Sequence, residues 1–146
     1  MGLERFVAAQ EGVYPRALAE LEAGAKRSHW MWFVFPQIAG LGSSDMARRY
    51  AIADAAEARA YLAHPVLGPR LVECATVVVR ARGSAEDVIG GIDAVKLRSS
   101  MTLFAAVAED AGVFCAVLDR FFGGREDAAT VARLDPSRHG EEDRDA

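Results

Sequence analysis

The chain has 146 residues, of which 51% are hydrophobic and 26% charged, and its formal net charge is −4 at pH 7. These values indicate one globular domain rather than a disordered chain, and an acidic chain lacks the basic surface that nonspecific nucleic-acid binding needs. Because no apolar run could cross a bilayer and no secretory signal pattern is present, we predict a cytoplasmic protein without a membrane or nucleic-acid partner.

Two short helices are predicted before the first tryptophan. Leu3 and Phe6 begin the first of them, and Gly12 ends it. Pro15 suits the first turn of the second helix, because its fixed φ angle is already helical, and this helix ends near Gly24.

The next segment, residues 27–37 (RSHWMWFVFPQ), contains both tryptophans of the chain. A helix with Ser28 as N-cap, running to the proline, would place Lys26, His29 and Trp30 on one side. In that arrangement these three residues could border a cleft for an anionic or planar ligand, while Trp32 points elsewhere. Trp30 or Trp32 is the candidate to stack on a flat group of the ligand. The alternative is that both tryptophans are core residues and that His29 bonds to a backbone carbonyl group.

Gln37 begins a loop, residues 37–45, in which Gly40 and Gly42 would allow a ligand to approach the backbone closely. A surface loop that leads into a capped helix is the ordinary explanation. The loop becomes a candidate binding element only if it faces the aromatic segment.

The remaining helices are predicted from periodicity and from capping residues. Apolar residues at helical spacing indicate helices over 67–78, 97–108 and 114–122, with Asp54, Ser84 and Asp127 placed as N-caps. His64–Pro65 predicts a break between two helices. Cys74 and Cys115 both fall within these helical patterns, so we predict two reduced thiols in the core. No strand pattern competes, and the sequence predicts an all-α domain of about seven helices over residues 1–135, followed by a flexible acidic tail, 136–146.

A second polar cluster lies at the start of the helix predicted over 97–108. The sequence GGIDAVKLRSS places Asp93, Lys96, Arg98 and Ser99 near a helix N-terminus, where backbone N–H groups favour anions. Asp93 could instead simply cap the helix, and the two basic residues could simply be solvated. The cluster does not match the phosphate-binding loop of nucleotide hydrolases.

The chain carries none of the common hydrolase, metalloprotease, redox or dinucleotide motifs, and no metal or cofactor is predicted. Whether the protein is an enzyme stays open at this point. If it is one, His29 and Asp93 are the candidate acid and base.

Several segments together have a familiar pattern. They are His29–Gln37 (HWMWFVFPQ), Gly40–Gly42, His64–Pro65, Leu67–Gly68, Asp93 and Ser99–Phe104 (SSMTLF). Over residues 3–134 the chain resembles a bacterial family of unknown function, domain of unknown function 1810, whose members are often labelled calpastatin. The resemblance implies a mainly helical fold and no established activity. Inhibitory calpastatins are disordered repeat proteins, whereas this chain is half hydrophobic and has no internal repeat.

Two functions therefore remain as hypotheses. In the first, the aromatic segment and the second polar cluster form a pocket for a small anionic ligand, nucleotide-like or phosphorylated. Its binding residues are Lys26, Trp30, Trp32, Gln37, Lys96, Arg98 and Ser99. In the second, the protein is an interaction module without catalysis, with an apolar patch that includes some of Phe33, Phe35, Phe121 and Phe122. We expect a monomer or a weak homo-oligomer in either case.

Overall fold

Residues 2–134, the part of the chain that the computed structural model describes, form ten helices and no strand beyond one isolated bridge. The helices are α1 Glu4–Gln10, α2 Tyr14–Glu22, α3 Met31–Val34, α4 Asp45–Arg49, α5 Ala55–Ala63, α6 Leu67–Arg80, α7 Ala85–Ile89, α8 Gly91–Val107, α9 Gly112–Phe122 and α10 Ala128–Leu134. The all-α prediction is confirmed. The predicted tail, residues 136–146, lies outside the described residues.

The predicted number of about seven helices is wrong. Three of the ten, α3, α4 and α7, have only four or five residues each. A helix of this length completes little more than one turn, so it shows no repeating apolar stripe, and only a local signal such as the Ser84 cap of α7 can indicate it. The longer helices α6, α8 and α9 lie where the sequence predicted them.

Helix α8 is the centre of the fold and packs against α5, α7, α9 and α10. Its residues 99–104 are all buried, as expected of a helix surrounded by others. The Phe104 ring lies 5.4 Å from the ring of Tyr61 on α5 and 6.0 Å from that of Phe114 on α9. The core therefore joins three helices around the second half of α8, and leaves the N-terminal half nearer to the surface.

The predicted helix starts are confirmed at three positions. The Asp54 carboxylate accepts a hydrogen bond from the Glu57 amide at 2.9 Å, and Asp127 accepts one from the Thr130 amide at 3.0 Å. Ser84 forms a reciprocal capping box at the start of α7. These caps fix where α5, α7 and α10 begin.

No single helix among residues 2–134 is long and apolar enough to cross a membrane. Helices α5 and α6 meet the length and composition requirement only as a pair, and they are bent by 89° at the break between them.

The predicted helix over the aromatic segment is much shorter than expected. Helix α3 spans only Met31–Val34, and its N-cap position is occupied by Trp30 rather than Ser28. The reason is a competing acceptor on α2. Glu20 accepts hydrogen bonds from the Ser28 hydroxyl and from the backbone amides of Arg27 and Ser28. These contacts hold residues 27–28 in a non-helical loop, so a helix can begin only after it.

The prediction of two core thiols is wrong for one of the two cysteines. Both are free, but Cys115 is exposed and only Cys74 is buried. Cys115 lies on the outer side of α9, between apolar neighbours that face inward. Burial raises the pKa of the Cys74 thiol to about 12, so this cysteine stays protonated at neutral pH.

We therefore predict that the native protein reacts with one equivalent of a thiol reagent such as DTNB at pH 8, and with two equivalents after denaturation in guanidinium chloride. Thiolate is the reactive form, and only the exposed Cys115 can supply it at an accessible position. A Cys115→Ser variant should show no rapid reaction in the native state. Two rapidly reacting equivalents in the native protein would contradict the burial of Cys74.

Candidate functional site

Both lysines of the chain and both tryptophans meet at one place in the fold. The chain has only two lysines, against fifteen arginines. The Lys26 ammonium lies 4.9 Å from the ring centre of Trp30, and the Lys96 ammonium lies 4.7 Å from that of Trp32. At these distances each ammonium interacts with the aromatic ring that it covers.

The carboxylate of Asp93 lies between the two lysines. Lys26 Nζ is 2.8 Å from Asp93 Oδ2, and Lys96 Nζ is 3.4 Å from Asp93 Oδ1. Lys96 and Asp93 are three residues apart on α8, on neighbouring positions of the helix surface. Lys26 reaches Asp93 from the loop before α3, so the three charges connect that loop to the start of α8.

These groups line a cavity of about 230 Å³ that we call the lysine cleft. Its lining residues are Lys26, His29, Met31, Trp32, Ile92, Asp93 and Lys96. Two ammonium groups and one carboxylate leave the lysine cleft with a net positive charge. His29 is exposed at its edge and adds an imidazole to these groups.

The loop that carries Lys26 and His29 is held by Glu20. Besides Ser28 and the amide of Arg27, the Glu20 carboxylate accepts a hydrogen bond from Trp30 Nε1 at 2.9 Å. Desolvation would raise the pKa of Glu20, but the hydrogen bonds from Ser28, Arg27 and Trp30 outweigh it and lower the pKa to about 2. Glu20 is therefore ionised at all ordinary pH values and fixes the loop.

Sequence reasoning did not assign a role to Glu20. A buried tryptophan N–H needs an acceptor, so Trp30 implied that one exists. Nothing in the spacing between α2 and the loop identified which carboxylate would supply it.

Lys26 is fixed at both its backbone and its side chain. Its amide donates to the carbonyl oxygen of Val88 on α7 at 2.7 Å, and its Nζ donates to the carbonyl oxygen of Ser28 at 2.5 Å. Only 6% of the side chain is exposed. Lys26 thus joins the loop, α7 and α8 as well as lining the lysine cleft.

Gly90 sets the direction in which α8 starts. Its φ of +92° is in the region that favours glycine, and it separates α7 from α8 within a single residue. Gly90 is also the N-cap of α8, so the capping role considered for Asp93 is wrong. Asp93 lies in the first turn, and its side chain turns to the lysines instead.

The family model DUF1810, described as protein of unknown function, matches residues 1–134. The chain belongs to the DUF1810 family. A solved structure similar to this chain is that of the conserved hypothetical protein Rv1873 from Mycobacterium tuberculosis, a crystal structure determined at 1.38 Å. It is 53% identical in sequence, with a TM-score of 0.89 over 90% of this chain and 95% of that one. No match is found among curated proteins.

The resemblance inferred from the sequence is thereby confirmed. The fold of this DUF1810 protein is shared with a crystal structure, and the family has no established function.

Of the predicted binding residues, Trp30 and Gln37 do not line the lysine cleft. Trp30 is fully buried, and its ring is covered by Lys26 and by Phe35, so it cannot stack on a ligand. Gln37 lies at the one isolated bridge, where its carbonyl oxygen accepts from the Ile52 amide at 2.8 Å. The glycine-containing loop that follows Gln37 also contributes no lining residue.

Arg98 and Ser99 also lie outside the lysine cleft. The Arg98 guanidinium donates to the carbonyl oxygens of Arg125 and Glu126, at 2.9 and 2.7 Å, and holds the segment before α10. Ser99 is buried, and its hydroxyl donates to the Val95 carbonyl oxygen of its own helix at 3.2 Å. Both residues follow Lys96 in sequence, but the helical rotation turns them to other sides of α8.

A larger cavity of about 470 Å³ lies between α5, α6 and the end of α8. Its walls are mostly apolar, with Arg59, Glu109 and Asp110 at the edge, and it contains none of the predicted site residues. Among residues 2–134 no group of three or more His, Cys, Asp or Glu side chains is placed to hold a metal ion. The lysine cleft is therefore where titratable, cationic and aromatic groups are brought together in this DUF1810 protein.

Proposed function

We propose that the lysine cleft binds a small anionic ligand, nucleotide-like or phosphorylated. The observation that supports this is the convergence of both lysines, Trp32 and His29 on one cavity with a net positive charge. In a composition that uses arginine for nearly all its cations, lysine occurs only here. An ammonium group is a compact charge that a ligand's oxygen atoms can approach from several directions.

The size of the lysine cleft limits how much of a ligand it can enclose. Pockets that bury a drug-sized ligand measure about 300–1,000 Å³, and the lysine cleft measures about 230 Å³. It can therefore take a phosphate or carboxylate group with a few further atoms. The rest of a nucleotide would lie outside, against the exposed surface of α8.

Asp93 and His29 are the groups at the lysine cleft that could exchange a proton with a ligand. Asp93 is held between two ammonium groups, so it is placed as an acceptor, and His29 is exposed at the edge. This pair would be the acid and base of any reaction at the site. Binding can be tested without knowing whether turnover occurs.

The test is a thermal-shift screen of the full chain against nucleotides, sugar phosphates, ADP-ribose and small carboxylates. A ligand at a hundredfold excess over its Kd stabilises the folded state by about 2.7 kcal/mol, which for a chain of this size raises Tm by roughly 5–10 °C. We expect Lys96→Ala to abolish the shift and His29→Ala to reduce it.

Arg59→Ala provides the matched control, because Arg59 is an exposed cation at the larger cavity. It should leave the shift unchanged. A shift that survives Lys96→Ala and disappears in Arg59→Ala would place the ligand in the larger cavity. No shift with any compound would contradict the proposal.

An interaction module without catalysis is the second candidate. The predicted patch does not support it, since Phe33 and Phe35 are buried and Phe121 and Phe122 are partly buried. What favours it instead is the exposure of Ile92 on α8, which is 79%. If this surface joins two copies of the chain, Ile92→Ser should convert a dimer to a monomer in size-exclusion chromatography with light scattering. A monomeric wild-type protein at high concentration would exclude such self-association.

A further inference from the structure

The two lysines contact the same carboxylate but differ in their freedom to bind anything else. The ammonium of Lys26 has three partners, which are the Ser28 carbonyl oxygen at 2.5 Å, Asp93 Oδ2 at 2.8 Å and the ring of Trp30, and its side chain is 6% exposed. Among the described residues, Lys96 has two, the 3.4 Å contact with Asp93 and the ring of Trp32, and its side chain is 23% exposed. An ammonium group has three donors, so Lys96 has a donor to offer to an added anion and Lys26 does not.

The surface beside Lys96 is apolar and uncovered. Ile92 and Val95 are 79% and 62% exposed, and with Val72 they are the large apolar side chains that are exposed among residues 2–134. Ile92 is four residues before Lys96 and lines the lysine cleft, so it lies on the same face of α8. A ligand held at Lys96 would extend over these two side chains.

A ligand that binds Lys96 must compete with the carboxylate of Asp93. A phosphate monoester carries a charge of about −1.5 to −2 at pH 7, so it attracts the Lys96 ammonium more strongly than the singly charged carboxylate does. The long Lys96–Asp93 contact is the one that can be given up, because Lys26 still neutralises Asp93 at 2.8 Å. A dianion is thus favoured over a monocarboxylate.

We propose that the ligand is a phosphate monoester with an apolar or aromatic body. Its phosphate replaces Asp93 as the partner of the Lys96 ammonium, while the body packs on Ile92 and Val95. This rests on the function proposed above and adds the class of ligand. Two exposed side chains offer far less area than the roughly 1,000 Å² that a specific protein interface needs, so a small molecule is the occupant that fits.

The experiment compares phenyl phosphate with inorganic phosphate, by isothermal titration calorimetry on the full chain. We expect phenyl phosphate to bind at least tenfold more tightly, and Ile92→Ser to remove most of that difference while inorganic phosphate binds as before. Val72→Ser is the matched control, because Val72 is an exposed apolar residue on α6 at the larger cavity. It should change neither affinity. Ile92 is too exposed for its replacement to prevent folding.

A second measurement places the ligand. Because the chain has only two lysines, acetylation by acetic anhydride followed by peptide mass spectrometry gives the reactivity of each one. We expect phenyl phosphate to slow the acetylation of Lys96 severalfold and to leave the N-terminal amine unchanged.

The outcomes separate the two proposals. Equal affinity for both phosphates, or an Ile92→Ser variant that still binds phenyl phosphate more tightly, would contradict the proposed contact between the ligand's apolar body and Ile92. Anion binding at the lysine cleft would not be contradicted. Binding without protection of Lys96 would overturn the assignment of the site. If neither phosphate binds while other anions do, the monoester class is wrong, and if no anion binds, the function proposed for the lysine cleft fails as well.

Discussion

Replacement of Gly68 by alanine is expected to lower the free energy of unfolding by about 3 kcal/mol, at the upper end of the cost of overpacking a core. Gly68 is buried in the first turn of α6, where a Cβ atom would lie 2.0 Å from the carbonyl oxygen of Leu62 on α5. That oxygen belongs to the backbone, so it cannot turn aside as a flexible side chain could. The two helices would have to separate.

Urea denaturation followed by circular dichroism measures this loss. The matched control is Gly91→Ala, because Gly91 is also in the first turn of a helix, but a Cβ atom there meets nothing within 4 Å. We expect Gly91→Ala to be neutral or to stabilise by up to about 1 kcal/mol, since alanine favours the helix more than glycine does. If Gly68→Ala lowers the free energy of unfolding by less than Gly91→Ala raises it, α5 and α6 do not approach as closely as described.

The sequence predicted the break between α5 and α6 but not the close approach at Gly68. His64–Pro65 indicated the break because proline cannot continue a helix. The approach depends on how two helices cross after the break, at an angle of 89°. Such a crossing is a property of tertiary packing, and no local pattern encodes it.

The site shows the same division between local and tertiary information. The aromatic segment and the start of α8 were predicted to meet, and the structure brings Lys26 and Asp93 to 2.8 Å. The residue types alone were enough to predict this meeting, because charged groups buried beside aromatic rings need polar partners. Which side chains line the lysine cleft depends on the exact helix bounds. The predicted helix from Ser28 was too long, and Trp30 was therefore placed at the ligand when it is fully buried.

Glu20→Gln is expected to lower the free energy of unfolding by about 2 kcal/mol at pH 7, the typical value for hydrogen bonds to a charged group. The carboxylate accepts from Trp30 Nε1 at 2.9 Å and from the backbone amides of Arg27 and Ser28 at 2.8 and 3.0 Å. A glutamine has one acceptor oxygen in place of two and presents an N–H₂ group to the other donors. Some of these donors would then lose their partner.

The loss should depend on pH in a defined direction. The pKa of Glu20 is about 2 in the folded protein, below its ordinary value of 4.5. Its ionised form therefore stabilises the fold fully above about pH 4.5, and this stabilisation is lost as the pH falls toward 2. The difference between wild type and Glu20→Gln should be constant from pH 8 to 5 and become smaller below that range.

Glu22→Gln is the control for this experiment, since Glu22 is an exposed carboxylate on the same helix. It should change stability by less than about 0.5 kcal/mol. Urea titrations at pH 7, 5, 4 and 3 give the difference curve, in which the other carboxylates cancel. A gap between wild type and Glu20→Gln that stays the same at pH 3 would show that the Glu20 charge is not what holds the loop.

The same substitution connects the stability of the loop to the lysine cleft. Lys26 donates to the carbonyl oxygen of Ser28, and Ser28 is held by Glu20. His29 follows in the same loop and lines the cavity. Glu20 does not line it, so Glu20→Gln should weaken ligand binding only by loosening the loop. At pH 7 we expect a ligand to recover part of the lost Tm of this variant, because binding favours the ordered loop, whereas Lys96→Ala should show no recovery at all.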